Sequence, residues 1–284
     1  MSTQKVSVVD ESRRPSFTIV MLAWPVFIEQ ILVSLVSYVD TAMVGSMGAN
    51  ATAAVSISNS PNMLVNGTIM AIGVGFTAMI SRSIGAEDLQ RAKDLMRQAL
   101  LVVVALGLPL MCLLLLLAEK IPLWMGAQAE ILPDAAVYNR IIAASLIFRT
   151  MSMIITSIMR GYGDTKTPMF VNIGVNIVNV IGNFLLIYPT RTMSLFGMEF
   201  TMIGAGWGVA GAAAATSGSA TIGALIMLAT IQWKLALVML IMVPILLFFA
   251  ISQRKRMSNS SRQVKERMAG INADIESSIS GVRV

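Results

Sequence analysis

Residues 98–118 read QALLVVVALGLPLMCLLLLLA, a run with no charged side chain. A helix that crosses the hydrocarbon core of a bilayer needs about 20 predominantly apolar residues. In lipid, a helix satisfies every backbone amide within its own segment. The run therefore reads as a membrane-spanning helix. Six further stretches have the same character, at about 17–44, 52–80, 136–159, 168–189, 203–231 and 235–252. They are long and rich in Leu, Met and Ala, whereas a transmembrane barrel would show alternating segments of about 10 residues. The expected fold class is all-α polytopic. Composition agrees: mean hydropathy is +0.75, with 56% hydrophobic and 13% charged residues, against about a quarter charged in soluble domains.

The same composition excludes several chemistries. There is no histidine, and Cys112 is the single cysteine. No intrachain disulfide, Cys/His metal cluster or histidine-dependent catalysis is available. No GxxxxGK[ST] run occurs, so the sequence holds no P-loop, and ATPase activity would need a partner. No resident cofactor is expected. Cys112, beside Leu113 to Leu117, reads as an inert packing residue. The net charge of +6 is no nucleic-acid signal, because the bases gather at the ends of apolar runs. Ser12-Arg13-Arg14 resembles a twin-arginine export signal, but no small-residue cleavage site follows, and a cytoplasmic anchor for the first helix is the simpler reading. Gly206-Trp207-Gly208-Val209-Ala210-Gly211 matches GxGxxG. It lacks an evident preceding strand and a later acid, so close packing of small residues explains it better. The sequons at Asn50 and Asn66 read as coincidental.

The loops set orientation. The N-terminus and the Arg82–Arg97 loop are basic, and that loop reads as a short amphipathic helix. The Glu119–Asp134 loop is acidic on balance, and the Arg160–Lys166 loop is basic. These four agree with a cytoplasmic N-terminus in a multi-pass protein of the cell inner membrane. The pattern then breaks. Alternation would put Arg254, Lys255, Arg256, Arg262, Lys265 and Arg267 outside.

Charged and amide side chains inside apolar helices are the candidate site residues, since burying a charge there costs at least about 2.5–3.5 kcal/mol. Asp40 lies in the first segment. Its carboxylate can exchange a proton, join an oxygen site for Na⁺, or sit as an interfacial acid. Glu29 and Gln30 lie about 15 Å upstream along a helix. Gln30 can bond between helices, and Glu29 can pair with a base. Asn172, Asn176, Asn179 and Asn183 form one stripe by their spacing of four, three and four. Such a stripe lines a cavity or bonds helix to helix.

Residues from about 15 to 216 resemble the N-terminal half of the MATE (multidrug and toxic compound extrusion) transporters. The matching residues are Trp24-Pro25 with Glu29-Gln30, Val39-Asp40 through Val44-Gly45 with Gly48, Ser81-Arg82 with Ile84-Gly85-Ala86, Met159-Arg160-Gly161-Tyr162-Gly163-Asp164-Thr165 with Pro168, the four asparagines, and Gly208 to Thr216. The resemblance implies a six-helix lobe of an antiporter that exports small cationic or amphipathic compounds by alternating access, driven by Na⁺ or H⁺. It implies a second lobe enclosing the substrate cavity. By the same carry-over Asp40 is the essential first-helix acid, Asn179 and Asn183 the fifth-helix polar pair, and Thr216 a sixth-helix hydroxyl. Some relatives carry an aspartate where this chain has Asn183, which leaves a carboxylate-pair proton site in question.

Residues 217–284 resemble part of an ABC exporter transmembrane domain. The resemblance rests on Ala224 to Leu228, Gln232-Trp233-Lys234 through Leu237, Pro244, Ala269 to Glu276, and Ile279 to Val284. In that family the Trp-Lys stretch is an external turn and the next helix runs far into the cytoplasm. The implied organisation is a MATE-like lobe at 1–216 joined to an ABC-like fragment at 217–284, with a nucleotide-binding partner needed for any ATP-driven role. A joint near Thr216-Ser217 would place both orientation demands on one helix. An incomplete or fused chain is the expected account of the broken charge pattern.

Overall fold

A computed structural model of the chain describes residues 15–195 and 198–240, with Pro244, Phe248 and Ser252 as single positions. Helices run in the order α1 (Pro15–Gly45), α2 (Ala49–Gly85), α3 (Leu89–Leu117), α4 (Lys120–Trp124), α5 (Leu132–Ala144), α6 (Leu146–Gly161) and α7 (Lys166–Ile187). A hairpin of β1 (Pro189–Leu195) and β2 (Met198–Ala205) follows, then α8 (Gly208–Leu240). Five helices are long and apolar enough to cross a membrane, or six when α5 and α6 count as one span bent by 48°. The all-α polytopic expectation holds in this lobe. Arg13 and Arg14, half of the segment at 235–252, and the polar tail beyond it lie outside the described residues.

The bent span is the centre of the bundle. From Ala135 to Phe148 nearly every side chain is buried, including Ile141, Ile142, Leu146 and Phe148. The bend falls at Ser145, whose hydroxyl donates back to the Ile142 carbonyl at 2.9 Å. Serine bonding to its own helix backbone competes with the ladder and bends the helix. The same hydroxyl reaches Ser217 Oγ on α8 at 2.9 Å, so the bend is tied to its neighbour. By contrast α1 and α3 keep most of their apolar side chains on the outside, as lipid-facing helices do. Cys112 is exposed there, not packed inside as its apolar surroundings suggested.

Small residues let α8 approach α7. A Cβ on Gly211 would collide with the Leu186 carbonyl, and one on Gly182 would meet Ala215 Cβ at 3.2 Å. Interfaces inside membranes rely on such close packing. This accounts for the glycine-rich run at 206–211. A strand does precede that run, contrary to the sequence reading, but it is half of an antiparallel hairpin, and among the described residues there is no parallel crossover strand for a dinucleotide fold. Gly206 and Gly208 hold left-handed conformations, φ +63° and +54°, in the turn from β2 into α8.

Four features differ from the sequence reading. The basic stretch at Arg82–Arg97 is no separate helix. Its first part ends α2, Asp88 caps α3 by accepting from the Arg91 amide at 2.9 Å, and its last part is the opening of α3. The fifth span stops at Ile187 because Tyr188 precedes a proline and is driven extended, φ −89° and ψ 150°. Residues 203–205 are strand, and Arg191 anchors the hairpin by stacking over the rings of Tyr188 and Phe184 at 4.0 and 4.7 Å. Finally, α8 runs without a break through Gln232-Trp233-Lys234, where the ABC resemblance implied a turn.

Candidate functional site

The start of α7 is set by the stretch from Arg160 to Thr165. Gly161 permits the end of α6 to touch α2, since a Cβ there would lie 3.0 Å from Ile80 Cβ. Gly163 turns the chain at φ +85°. Asp164 Oδ1 accepts from the amides of Lys166 and Thr167 at 3.2 and 3.0 Å, capping α7. The asparagine stripe of α7 then runs down the face toward α1 and α8.

Near the hairpin end of the lobe, α1 brings Asp40 to that stripe. Asn183 Nδ2 donates to Asp40 Oδ1 at 2.7 Å. The end of the Asn179 amide facing Asp40 lies 3.0 and 3.1 Å from the two carboxylate oxygens, and with its nitrogen turned there it donates to both. With its oxygen there, Nδ2 donates instead to Thr216 Oγ1 on α8 at 3.3 Å. Asn179 and Asn183 are buried, while Asp40 is half-buried. The Asn183 carbonyl oxygen is buried with no hydrogen-bond partner, so a lone pair remains beside the carboxylate. Asp40, Asn179, Asn183 and Thr216 thus form one cluster of oxygens from three helices. It contains a single carboxylate, and no group of three or more acidic, Cys or His ligands occurs among the described residues.

This cluster opens on a cavity of about 700 Å³ between α1, α2, the bent span, α7 and α8. Asn176 is also in its wall, with a buried Nδ2 that lacks a partner. The remaining candidates go elsewhere. Gln30 is exposed on the outside of α1 and is not in the cavity wall. Asn172 leaves the stripe's common role: its Nδ2 donates to Glu29 Oε1 at 2.7 Å. Glu29 is buried, and both of its oxygens accept from Arg160 Nη2, at 2.9 and 2.8 Å. The base that Glu29 needed is the arginine that ends α6.

Several cavity residues escaped sequence reading. Asn59, Asn62 and Asn66 on α2 line it, as do Tyr138 and Arg149 from the bent span. A signal was there for Arg149. It is a charge within the apolar segment at 136–159, and the rule that singled out Asp40 applies to it equally. A signal was there on α2 as well: Asn59, Asn62 and Asn66 recur at intervals of three and four, which puts them on one helical face.

Residues 25–185 match the MatE family, and residues 189–284 match the ABC transporter transmembrane region. The uncharacterized transporter YisQ of Bacillus subtilis is 30% identical over 224 residues, covering 79% of this chain and 47% of that protein. The probable multidrug resistance protein NorM of Thermotoga maritima is 28% identical over 206 residues, 72% of this chain and 42% of that one. A solved structure described as the outward-facing conformation of a multidrug resistance MATE family transporter superposes with a TM-score of 0.67 at 25% identity, over 76% of this chain and 45% of that one. The chain spans less than half the length of these relatives. The MatE match contains Asp40, Asn179 and Asn183 in the geometry described, and it extends over more than half of the sequence; the chain belongs to the MatE family.

Proposed function

We propose that this lobe exports small cationic or amphipathic compounds across the inner membrane, exchanging them for H⁺ or Na⁺ at Asp40, in concert with a second lobe that closes the cavity. The observation that carries the reading is a lone carboxylate on a cavity wall with one amide held against it and another whose two ends serve opposite charge states. With Asn179 nitrogen toward Asp40, the anion is stabilised. With the oxygen toward it, two oxygen-bearing groups lie about 3 Å apart, and only a proton or a cation between them makes that favourable. Na⁺ would find oxygens from Asp40, Asn179, Asn183 and Thr216. Occupancy then changes which of α1, α7 and α8 are held together, the differential contact that alternating access requires.

The test is flux of an ethidium-like dye in proteoliposomes under an imposed H⁺ or Na⁺ gradient. Asp40→Asn keeps the shape and an acceptor oxygen but cannot carry the charge. Loss of gradient-driven flux is the expected result, and flux equal to the unaltered chain would reject the assignment.

A second reading rests on the match of residues 189–284 to the ABC transporter transmembrane region. In it the chain is a fusion whose C-terminal part works with a nucleotide-binding partner. Dye flux that needs ATP and ignores ion gradients would favour it. No flux under either drive would favour a fused product without transport activity.

A further inference from the structure

The two ends of α2 are packed and its middle is not. Ala51, Ala54 and Ser58 are buried near its start, and Ile69, Gly73, Phe76 and Ile80 in its second half. From Asn59 to Thr68 no residue is buried, and Met63 and Leu64 are each 77% exposed. The stretch reads NSPNMLVNGT, so half of it is polar. Pro61, inside the helix, also withholds a donor from the Ile57 carbonyl. Lipid satisfies none of these groups, so protein or water must cover them. Asn59, Ser60, Asn62, Met63 and Asn66 line the cavity. Leu64, Gly67 and Thr68 are exposed too but lie outside its wall. The uncovered face is therefore wider than the cavity and partly apolar, which suits a protein surface better than a water channel.

The chemistry of the stretch narrows the partner. Copies of one chain carry the same loop charges and insert the same way up. A closed pair of such copies has its two-fold axis along the membrane normal, and the same patch of each is used. Each residue then meets its own copy at the same depth. A face of this kind must complement itself. A carboxylate or an ammonium would repel its twin, whereas an amide is donor and acceptor at once. No charged residue occurs in α2 from Ala49 to Ser81, and Asn59, Asn62 and Asn66 share one helical face. On the adjoining α1, Ser37, Tyr38 and Thr41 are exposed and equally neutral.

We propose that the middle of α2, from Asn59 to Thr68, is the interface with a second copy of this chain, so that the lobe closing the cavity is a twin related by a two-fold axis along the membrane normal. This rests on the need for a closing lobe, as set out under Proposed function, and it names that partner.

The experiment uses the full chain in proteoliposomes, labelled at its single cysteine, Cys112, which is exposed. Energy transfer between donor-labelled and acceptor-labelled chains is followed as the protein is diluted with lipid. The unaltered chain should give saturable transfer, well above that of randomly placed chains. Asn59→Asp and Asn59→Lys, each alone, set like charges opposite one another and should weaken self-association at least about ten-fold. Mixed in equal amounts they set opposite charges there, and transfer should return. That recovery also establishes that both variants fold. Random-level transfer in the unaltered chain would overturn the twin. So would transfer that survives either charge alone, or a mixture that stays dispersed. Gradient-driven dye flux on the same vesicles separates this inference from the reading beneath it. Flux without self-association overturns the twin and leaves the exporter, whereas self-association without flux supports the twin and overturns the exporter.

Discussion

Two carboxylates on α1 meet amides of α7, and they are finished differently. Glu29 is buried, paired through both oxygens with Arg160, and further bonded by Asn172. Asp40 is half-buried on a cavity and is held by Asn183 and Asn179, with no ion pair to it among the described residues and an unsatisfied Asn183 oxygen at its side. They lie on one helix, eleven residues and about 16 Å apart. The first cluster has its charge closed within the protein, although Arg160 Nε is left buried without a hydrogen-bond partner. The second is left able to accept something. A charge inside a membrane protein is thus no sufficient sign of function; what separates the two is whether the carboxylate has a counter-charge within the protein.

Substitution should separate them in opposite senses. Glu29→Gln leaves Arg160 without its counter-charge in a largely buried place, the case in which breaking an ion pair is most damaging. Stability in a detergent unfolding titration should fall by about 3–5 kcal/mol. If the loss is under about 1 kcal/mol, the Glu29 cluster is not the closed structural pair described. Asp40→Asn should do the reverse. Unfolding should shift by less than about 1 kcal/mol, since an oxygen still receives the Asn183 amide, while gradient-driven flux disappears. A large loss of stability in Asp40→Asn would erase the contrast between the two acids.

Much of this lobe could be read before any coordinates. Six spans follow from apolar length alone, because lipid rewards a property that is local in sequence. The α7 asparagine stripe was legible from its period, and Asp40 from its setting. The distribution of partners along the stripe was not. Asn172 serves Glu29 while Asn179 and Asn183 serve Asp40, and that division depends on where α1 crosses α7. The hairpin was missed because Pro189–Leu195 and Met198–Ala205 are too short and mixed for a hydropathy window, although Pro189 marks the stop. Gln30 was misplaced as a partner because neighbours in sequence on a helix point about 100° apart: Glu29 faces inward and Gln30 outward. Arg149 was overlooked in a segment read only for its apolar length.

Within the Asp40 cluster the amides themselves should rank. Asn183→Ala removes a buried donor that touches the carboxylate at 2.7 Å and opens a gap between α1 and α7. A stability loss of about 1–3 kcal/mol is expected, together with weaker coupling between gradient and flux. Flux that stays fully coupled would mean that Asn179 alone holds the acid.

The smallest effect should come from Thr216→Val. The change keeps the branched shape and deletes one hydroxyl, whose contact to Asn179 is 3.3 Å long. Bonds of this kind between membrane helices average about 0.6 kcal/mol, so unfolding should hardly move. Its value lies in the Asn179 amide. When Asn179 turns its oxygen toward Asp40, its nitrogen needs Thr216 as acceptor; when it turns its nitrogen, the hydroxyl can donate to the oxygen. A valine serves neither state, and the two orientations then differ only by what sits at Asp40. Ion dependence of dye flux should therefore persist with a shifted half-saturation. If Thr216→Val abolishes coupling as Asp40→Asn does, the hydroxyl is a direct ligand of the ion and not a support for the amide.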